Sequence, residues 1–284
     1  MIKLIRMDDD NMKGKLIRFF LFLLIIFFSV IIALSIWHIL LWKFDNNKTH
    51  DIINKVQDTV NVKEIDSSEG INVNNDNNMT SDNLYWKYVN MKLIDVDFNK
   101  LKSINGDVVG WIKLDGTNIN YPFVKTSNNS YYLNHSLDKS YNSAGWVFLD
   151  YRNNLNSLNG NTVIYAHGRL DKTMFGSLRD VLNKKWLNND DNHVVRLSTE
   201  YSSSLWQVFS VYHISTTSDY IKVDFSSSDE HQEFINLILN RSLYNFNTSV
   251  SVNDKILTLS TCYNDNEKMV LHAKLIKIKK RSLV

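Results

Sequence analysis

The chain has 284 residues but only one cysteine and one proline. A lone cysteine excludes a disulfide within the chain, so Cys262 is an inert small side chain, a partner for another molecule, or a nucleophile. The single proline, Pro122, falls in a strand-like run and predicts an edge or a bulge there. With nine glycines, none placed in a phosphate-cradling loop, nucleotide binding through such a loop finds no support. The formal charge is +2, with no basic stripe interleaved with aromatics, so no nucleic-acid partner is expected. The basic tail Lys277-Ile-Lys-Lys-Arg281 reads as a solvated chain end. No metal-ligand spacing of the His-x-x-x-His kind and no repeat of fixed period occurs, and neither a metal nor a cofactor is expected.

What the chain does have begins at its N-terminus. Phe19 to Trp42 contains no Lys, Arg, Asp or Glu, and a helix needs roughly 20 apolar residues to cross a bilayer. Lys3, Arg6, Lys13, Lys15 and Arg18 precede this run, which predicts a cytoplasmic N-terminus. The small-x-small pattern Ala33-Leu-Ser35 lies inside the run rather than after it, so an uncleaved anchor is the reading, not a removed signal. The organisation expected is a basic cytoplasmic tail over 1–18, a transmembrane signal anchor over 19–42, a flexible Asn/Asp-rich tether over 43–83 and an extracellular domain over 84–284. The tether assignment rests on the absence of aromatics from 45 to about 82 and on the Asn, Asp and Ser content there, with weak helical character over Asp51–Val62.

In the last 200 residues the spacing predicts eight short strands: Val109–Leu114, Asn118–Val124, Gly145–Leu149, Thr162–Ala166, His193–Ser198, Leu205–Ile214, Ile256–Cys262 and Met269–Ile278. Helices are predicted over Leu93–Ile104, Thr173–Leu182 and Asp229–Leu243, the last opened by the capping pattern Ser227-Ser-Asp-Glu230. Eight strands with few helices predict a mainly β fold, a closed barrel with helical insertions, since closure removes exposed edges.

Cys262 ends a strand in which Ile256, Thr258, Ser260 and Cys262 share one face. A cysteine nucleophile needs a base or ion-pair partner. Of eight histidines, His38 lies in the apolar run and His50 in the tether. His231 falls on the polar side of a helix, His193 starts a strand beside acidic residues, and His213 and His272 lie within strands. His135 occupies a polar loop. His167 differs, because it follows Val163-Ile-Tyr-Ala and precedes Gly168, at a strand end where sites are commonly built.

These residues resemble a known family. Thr258-Leu-Ser-Thr-Cys262 is similar to the TLxTC strand of sortases, the membrane-anchored cysteine transpeptidases of Gram-positive bacteria. Asn161-Thr-Val-Ile-Tyr-Ala-His-Gly followed by Thr173-Met-Phe-Gly-Ser-Leu resembles the segment with the family's catalytic histidine. Val109-Gly-Trp-Ile-Lys-Leu, Thr117-Asn-Ile-Asn-Tyr-Pro, Tyr131-Tyr-Leu-Asn-His and Phe148-Leu-Asp-Tyr-Arg are similar to class B sortases in the same order. The resemblance covers 84–278.

It implies an eight-stranded sortase-type barrel in which Cys262 attacks the carbonyl after threonine in an NPxTx-like sorting signal. It also implies a thioester intermediate, with His167 as acid and then base. Expected partners are surface proteins bearing the signal, an amine of peptidoglycan precursor or pilin, and the membrane through one N-terminal helix. Ser260 and Thr261, flanking the nucleophile, are candidate substrate contacts. One position departs from the pattern: Lys268 stands where the family carries an arginine, and a flexible point charge does not replace a planar fork of donors. Arg152 or Arg169 are then candidates to reach the site instead. The departure leaves an alternative, a sortase-fold binding protein with weak turnover. An L,D-transpeptidase is disfavoured because Cys262 lacks that family's Gly-Cys context.

Overall fold

A computed structural model describes residues 2–73, 84–264 and 266–281, which divide into two compact units, 1–48 and 49–284. Helix α1 (Ile2–Thr59) contains the apolar run, and its stretch from residue 14 onward is long and apolar enough to cross a membrane. Its large apolar side chains between Leu16 and Phe44, apart from the partly exposed Leu24, are exposed, as a lipid-facing surface requires.

The tether expected over 43–83 is ordered as far as residue 73. The final turns of α1 bury Ile53 and Val56, and Val60 just after its end joins them, in the core of the second unit. Strand β1 (Lys63–Ile65) and strand β2 (Ile71–Asn72) follow. Helical spacing of three apolar residues outweighs the polar composition around them. The Asn-rich stretch from 74 onward lies outside the described residues.

The remaining order is α2 (Leu84–Val89), β3 (Leu93–Asp95), α3 (Phe98–Ile104), β4 (Val108–Leu114), β5 (Asn120–Val124), β6 (Phe148–Leu149), β7 (Asn161–Tyr165) and α4 (Lys184–Leu187). Then come β8 (Val194–Thr199), β9 (Ser202–Ser215), α5 (Ser228–Asn240), β10 (Ile256–Cys262) and β11 (Glu267–Lys280). Each of the eight strands expected from the sequence is present as β4 to β11. They pair in the order β10-β7-β6-β5-β4-β8-β9-β11, and β11 pairs back onto β10 to close an eight-stranded barrel. Strands β10 and β7 run parallel, as do β5 and β6; β2 adds to the C-terminal part of β11.

Pro122 lies opposite Trp111 of β4, while β5 meets β6 only at Val124. The proline therefore sits where its missing N–H breaks no ladder.

Three expectations need correction. The segment 93–104 is not one helix: Leu93–Asp95 is a strand paired with β1, and α3 starts afresh at its N-cap Asp97, whose carboxylate accepts from the Asn99 and Lys100 amides. An aspartate inside a helical period is equally a helix start. Residues 176–182 form a 3-10 segment rather than an α-helix. The basic tail is not solvated: Lys277 is buried and donates to the Val89 carbonyl at 2.6 Å, and Arg281 bonds Asp95 and, at 2.9 Å, Ser198 Oγ.

Leu257 and Leu259 of the cysteine strand belong to one buried core with Ile112, Phe123, Ile164 and Leu271. The outer face of the same strand is covered separately, Ile256 packing with Tyr220 and with Phe234, Ile235 and Ile238 of α5. This helix is capped by Ser227, whose Oγ accepts from the Glu230 amide. Its His231, expected on a polar face, is buried and stacked on Phe225 with centroids 4.1 Å apart.

His272 is fully buried on β11 between Tyr212 and Thr258. Thr258 Oγ1 donates to Asn161 Oδ1 at 2.7 Å, so His272 Nδ1–H donates to Thr258 Oγ1 and Tyr212 O–H donates to His272 Nε2. Burial lowers the His272 pKa to about 3. The unfolded chain therefore binds a proton below about pH 6.5 that the native state refuses, and stability falls from there down to about pH 3. This one group contributes a slope of roughly 1 kcal/mol per pH unit. Urea unfolding between pH 7 and 4 is expected to show a flatter acid limb for His272→Leu than for the wild type. Parallel limbs would contradict the assignment.

Candidate active site

The parallel pair β7 and β10 brings Cys262 and His167 to the ends of neighbouring strands. Their last register pair is Ser260 with Tyr165, so Cys262 and His167 both lie two residues beyond it, at the C-terminal ends of adjacent strands. Period-two alternation then gives both the same face. Each is partly exposed, as a group that meets a substrate must be. His167 is also held through its ring, because its Nε2 lies 2.7 Å from the Leu133 carbonyl. A carbonyl only accepts, so Nε2 carries the proton and Nδ1 is the free nitrogen of the neutral ring.

Lys268 is the direct antiparallel partner of Cys262 across β10 and β11. Its Nζ lies 3.2 Å from Cys262 Sγ. Lys268 thus delivers a cation to the sulfur itself. Neither of the two substitutes suggested by the sequence is free to do so. Arg152 is committed to Asp150, with Nε to Oδ1 at 2.8 Å and Nη2 to Oδ2 at 2.7 Å, and to the Ile221 carbonyl. Arg169 is committed to Asp171 and Thr173. Burial pushes the Asp150 carboxyl up, but hydrogen bonds from Arg152, Tyr165 and Asn129 hold it below the usual range.

Ser260 and Thr261 separate by face. Ser260 shares the face of Cys262 but is itself buried, and its Oγ lies 3.0 Å from the Tyr220 hydroxyl; burial raises the pKa of that phenol. Thr261 is turned the other way with Leu257 and Leu259 and is buried. Its geometry makes it a packing residue behind the nucleophile rather than a substrate contact.

The other histidines are occupied elsewhere. His135 stacks on Tyr131 at 4.0 Å, His213 meets Glu267 at 3.1 Å, and His193 is buried among Trp186, Tyr244 and Phe246. Among the described residues no group of three metal-ligating side chains occurs.

Sequence reasoning missed three parts of the site. The Leu133 carbonyl is a backbone group 34 residues from His167 and leaves no side-chain signal. Tyr220 lies in a 3-10 turn, Asp219–Ile221, between β9 and α5. Arg179 donates through Nη2 to the carbonyls of Gly168 and of Cys262, at 3.2 and 3.4 Å. Gly168 was noted only as the neighbour of the histidine. An added Cβ there would come 2.0 Å from the Cys262 carbonyl oxygen, so only glycine allows the two strand ends to approach.

A closed barrel that carries a thiol and an imidazole at the ends of adjacent parallel strands has the parts of a cysteine acyl-transfer enzyme. The sortase-domain family profile matches residues 112–276. Sortase B of Staphylococcus aureus is 38% identical over 185 residues, 64% of this chain and 75% of that protein. The solved S. aureus sortase B–substrate complex is 38% identical with a TM-score of 0.60, covering 63% of this chain and 84% of that one. Sortase B from B. anthracis in complex with AAEK1 is 31% identical with a TM-score of 0.65, covering 82% of this chain and 99% of that one. The chain belongs to the sortase family of cysteine transpeptidases, and these relatives are sortases of type B.

Proposed function

We propose that this enzyme cleaves an NPxTx-like sorting signal after its threonine and passes the acyl group through a Cys262 thioester to an amine. The single observation that carries the proposal is the shared placement of Cys262 and His167 two residues past the last rung of the β7–β10 ladder. The Cys262 thiolate attacks the threonine carbonyl, while Lys268 Nζ, 3.2 Å from the sulfur, supplies positive charge beside the thiolate and the tetrahedral oxyanion. His167 Nδ1, left free because Nε2 is held by Leu133, first takes the Cys262 thiol proton and then gives it to the leaving amine. The incoming amine returns its proton to His167 as it displaces the thiolate. Ser260, buried on the same face as Cys262 and bonded to Tyr220, backs the nucleophile from within the strand.

The substrate is a surface protein bearing the signal, by analogy with a relative solved with its substrate. The acceptor is an amine of peptidoglycan precursor or a pilin lysine. Residues 19–42 of α1 anchor the enzyme, with the N-terminus cytoplasmic and the barrel outside, a reading supported by the basic residues before the apolar run. The alternative of a weakly turning-over binding protein rested on the missing arginine; the contact of Lys268 with the sulfur favours the enzyme.

The test is a cleavage assay of the detergent-solubilised full chain with a library of NPxTx-type and LPxTG-type peptides, with and without candidate amines. Amine-dependent ligation products after threonine are expected. Intact peptide in every well would overturn the proposal. For the topology, protease shaving of intact cells is expected to remove the barrel, and full protection would invert it.

A further inference from the structure

The backbone ladder that aligns the two reacting strands stops short of the reacting residues. Its last hydrogen bond runs from the Ala166 amide to the Ser260 carbonyl, already long at 3.4 Å. One step further, the carbonyls of Gly168 and Cys262 both converge on a single nitrogen, Nη2 of Arg179. Two carbonyl oxygens brought this close repel each other, and a shared cation offsets that repulsion. The bare α-carbon of Gly168 permits the approach, and the guanidinium holds it.

Arg179 is itself fixed relative to the histidine. It belongs to the 3-10 segment Gly176–Leu182, which buries Gly176, Ser177, Leu178 and Val181. The residue at the head of that segment, Phe175, donates its amide to the His167 carbonyl at 3.1 Å. On the cysteine side, the guanidinium carbon lies 5.7 Å from the Tyr263 ring centroid, a cation–π contact with the residue that follows the nucleophile. Tyr263 stacks in turn on His213, with centroids 4.6 Å apart. The Arg179 Nε is buried and has no hydrogen-bond partner among the described residues. Desolvating a guanidinium donor without replacing its water is unfavourable, a cost that a surface arginine avoids.

We propose that Arg179 is a positioning residue that joins the Cys262 backbone to the strand end bearing His167 and so sets the reactivity of the thiol. It touches neither sulfur nor imidazole; Lys268 occupies that role. This inference rests on the reading of Cys262 and His167 as the reacting pair. It assigns to this chain a second cation, distinct in position from Lys268, whose task is to fix distance and orientation where the sheet no longer does. Misplacement of about 1 Å between reacting groups costs on the order of 100-fold in rate, so a clamp at this point has large leverage.

The test uses the detergent-solubilised full chain with Arg179→Met, which keeps length and removes donors, and Arg179→Lys, which keeps a cation with donors for both carbonyls. The first readout is the rate of Cys262 alkylation by iodoacetamide across pH, which needs no peptide. Arg179→Met is expected to slow alkylation at pH 7 by about 3–10-fold and move the profile up by roughly 0.5–1 pH unit. The second readout is acyl transfer: kcat is expected to fall about 10–100-fold with KM within about twofold. Arg179→Lys is expected to recover both to within about threefold of wild type.

An alkylation profile for Arg179→Met that superimposes on wild type would overturn the clamp, as would a lysine variant as impaired as the methionine one. Should Arg179→Met not fold, Arg179→Gln, which keeps donors and removes the charge, carries the same prediction for the alkylation profile. A wild-type chain that acylates no sorting peptide, with the alkylation shift still present, would sink the transpeptidase reading and leave the clamp standing.

Discussion

His167→Ala is expected to lower acyl transfer by roughly 100- to 10,000-fold, the span that a positioned general acid–base group contributes. The loss should fall on kcat and leave KM nearly unchanged, because the imidazole handles protons rather than holding the peptide. The reason lies in the hydrogen bond from Nε2 to the Leu133 carbonyl. With one nitrogen fixed as a donor, the ring presents Nδ1 alone for proton transfer, and no other histidine among the described residues stands at the end of β7. A diagnostic follows from leaving-group chemistry. A peptide whose scissile amide is replaced by an activated ester needs no proton at the leaving atom, so His167→Ala should acylate Cys262 with that substrate far faster than with the amide. Equal impairment on ester and amide would show that His167 does something other than protonate the leaving amine.

Lys268→Met is expected to reduce acylation by about 100- to 1,000-fold, the loss seen when one oxyanion-stabilising group is removed from a dry site. The geometry carries this prediction: Lys268 faces Cys262 across the β10–β11 pair, with Nζ 3.2 Å from the sulfur. Lys268→Arg separates the two readings of the site. If the ammonium already serves as the stabilising cation, the arginine variant stays within about threefold of wild type, because charge is kept and only donor geometry changes. A rise of about tenfold or more would support the weakly active binding protein, with lysine as the defect. Single-turnover acylation rates for wild type and both variants decide between them.

How far the sequence could be read depends on the range of the forces involved. All eight barrel strands were legible, since burial on alternate residues imprints a period of two on short segments. The pairing of Cys262 with His167 was legible through motif resemblance and through the placement of each at a strand end. Closure of β11 onto β10, and the parallel register that matches Ser260 to Tyr165, depend on contacts across the whole domain.

The misreadings share a cause. At 49–60 a polar composition hid three apolar residues at helical spacing, Ile53, Val56 and Val60, which find their partners only in the folded core. At 277–281 a run of basic residues looked solvated, yet Lys277 reaches a backbone carbonyl at Val89, 188 residues away in sequence. Thr261 was grouped with Ser260 by adjacency, although the strand period alone separates their faces. Arg179 gave no signal because its partners are two carbonyls, and a backbone acceptor leaves no trace in residue identity.

The central claim is that Cys262 carries the acyl group between two substrates. Mass spectrometry of the full chain, quenched in acid after incubation with an NPxTx peptide and no added amine, tests it most directly. The account predicts a mass increase equal to the peptide fragment ending in threonine less one water, located on the tryptic fragment containing Cys262, released by hydroxylamine and absent from Cys262→Ala. Cleaved peptide with Cys262 unmodified at every time point, together with an unimpaired Cys262→Ala variant, would contradict it.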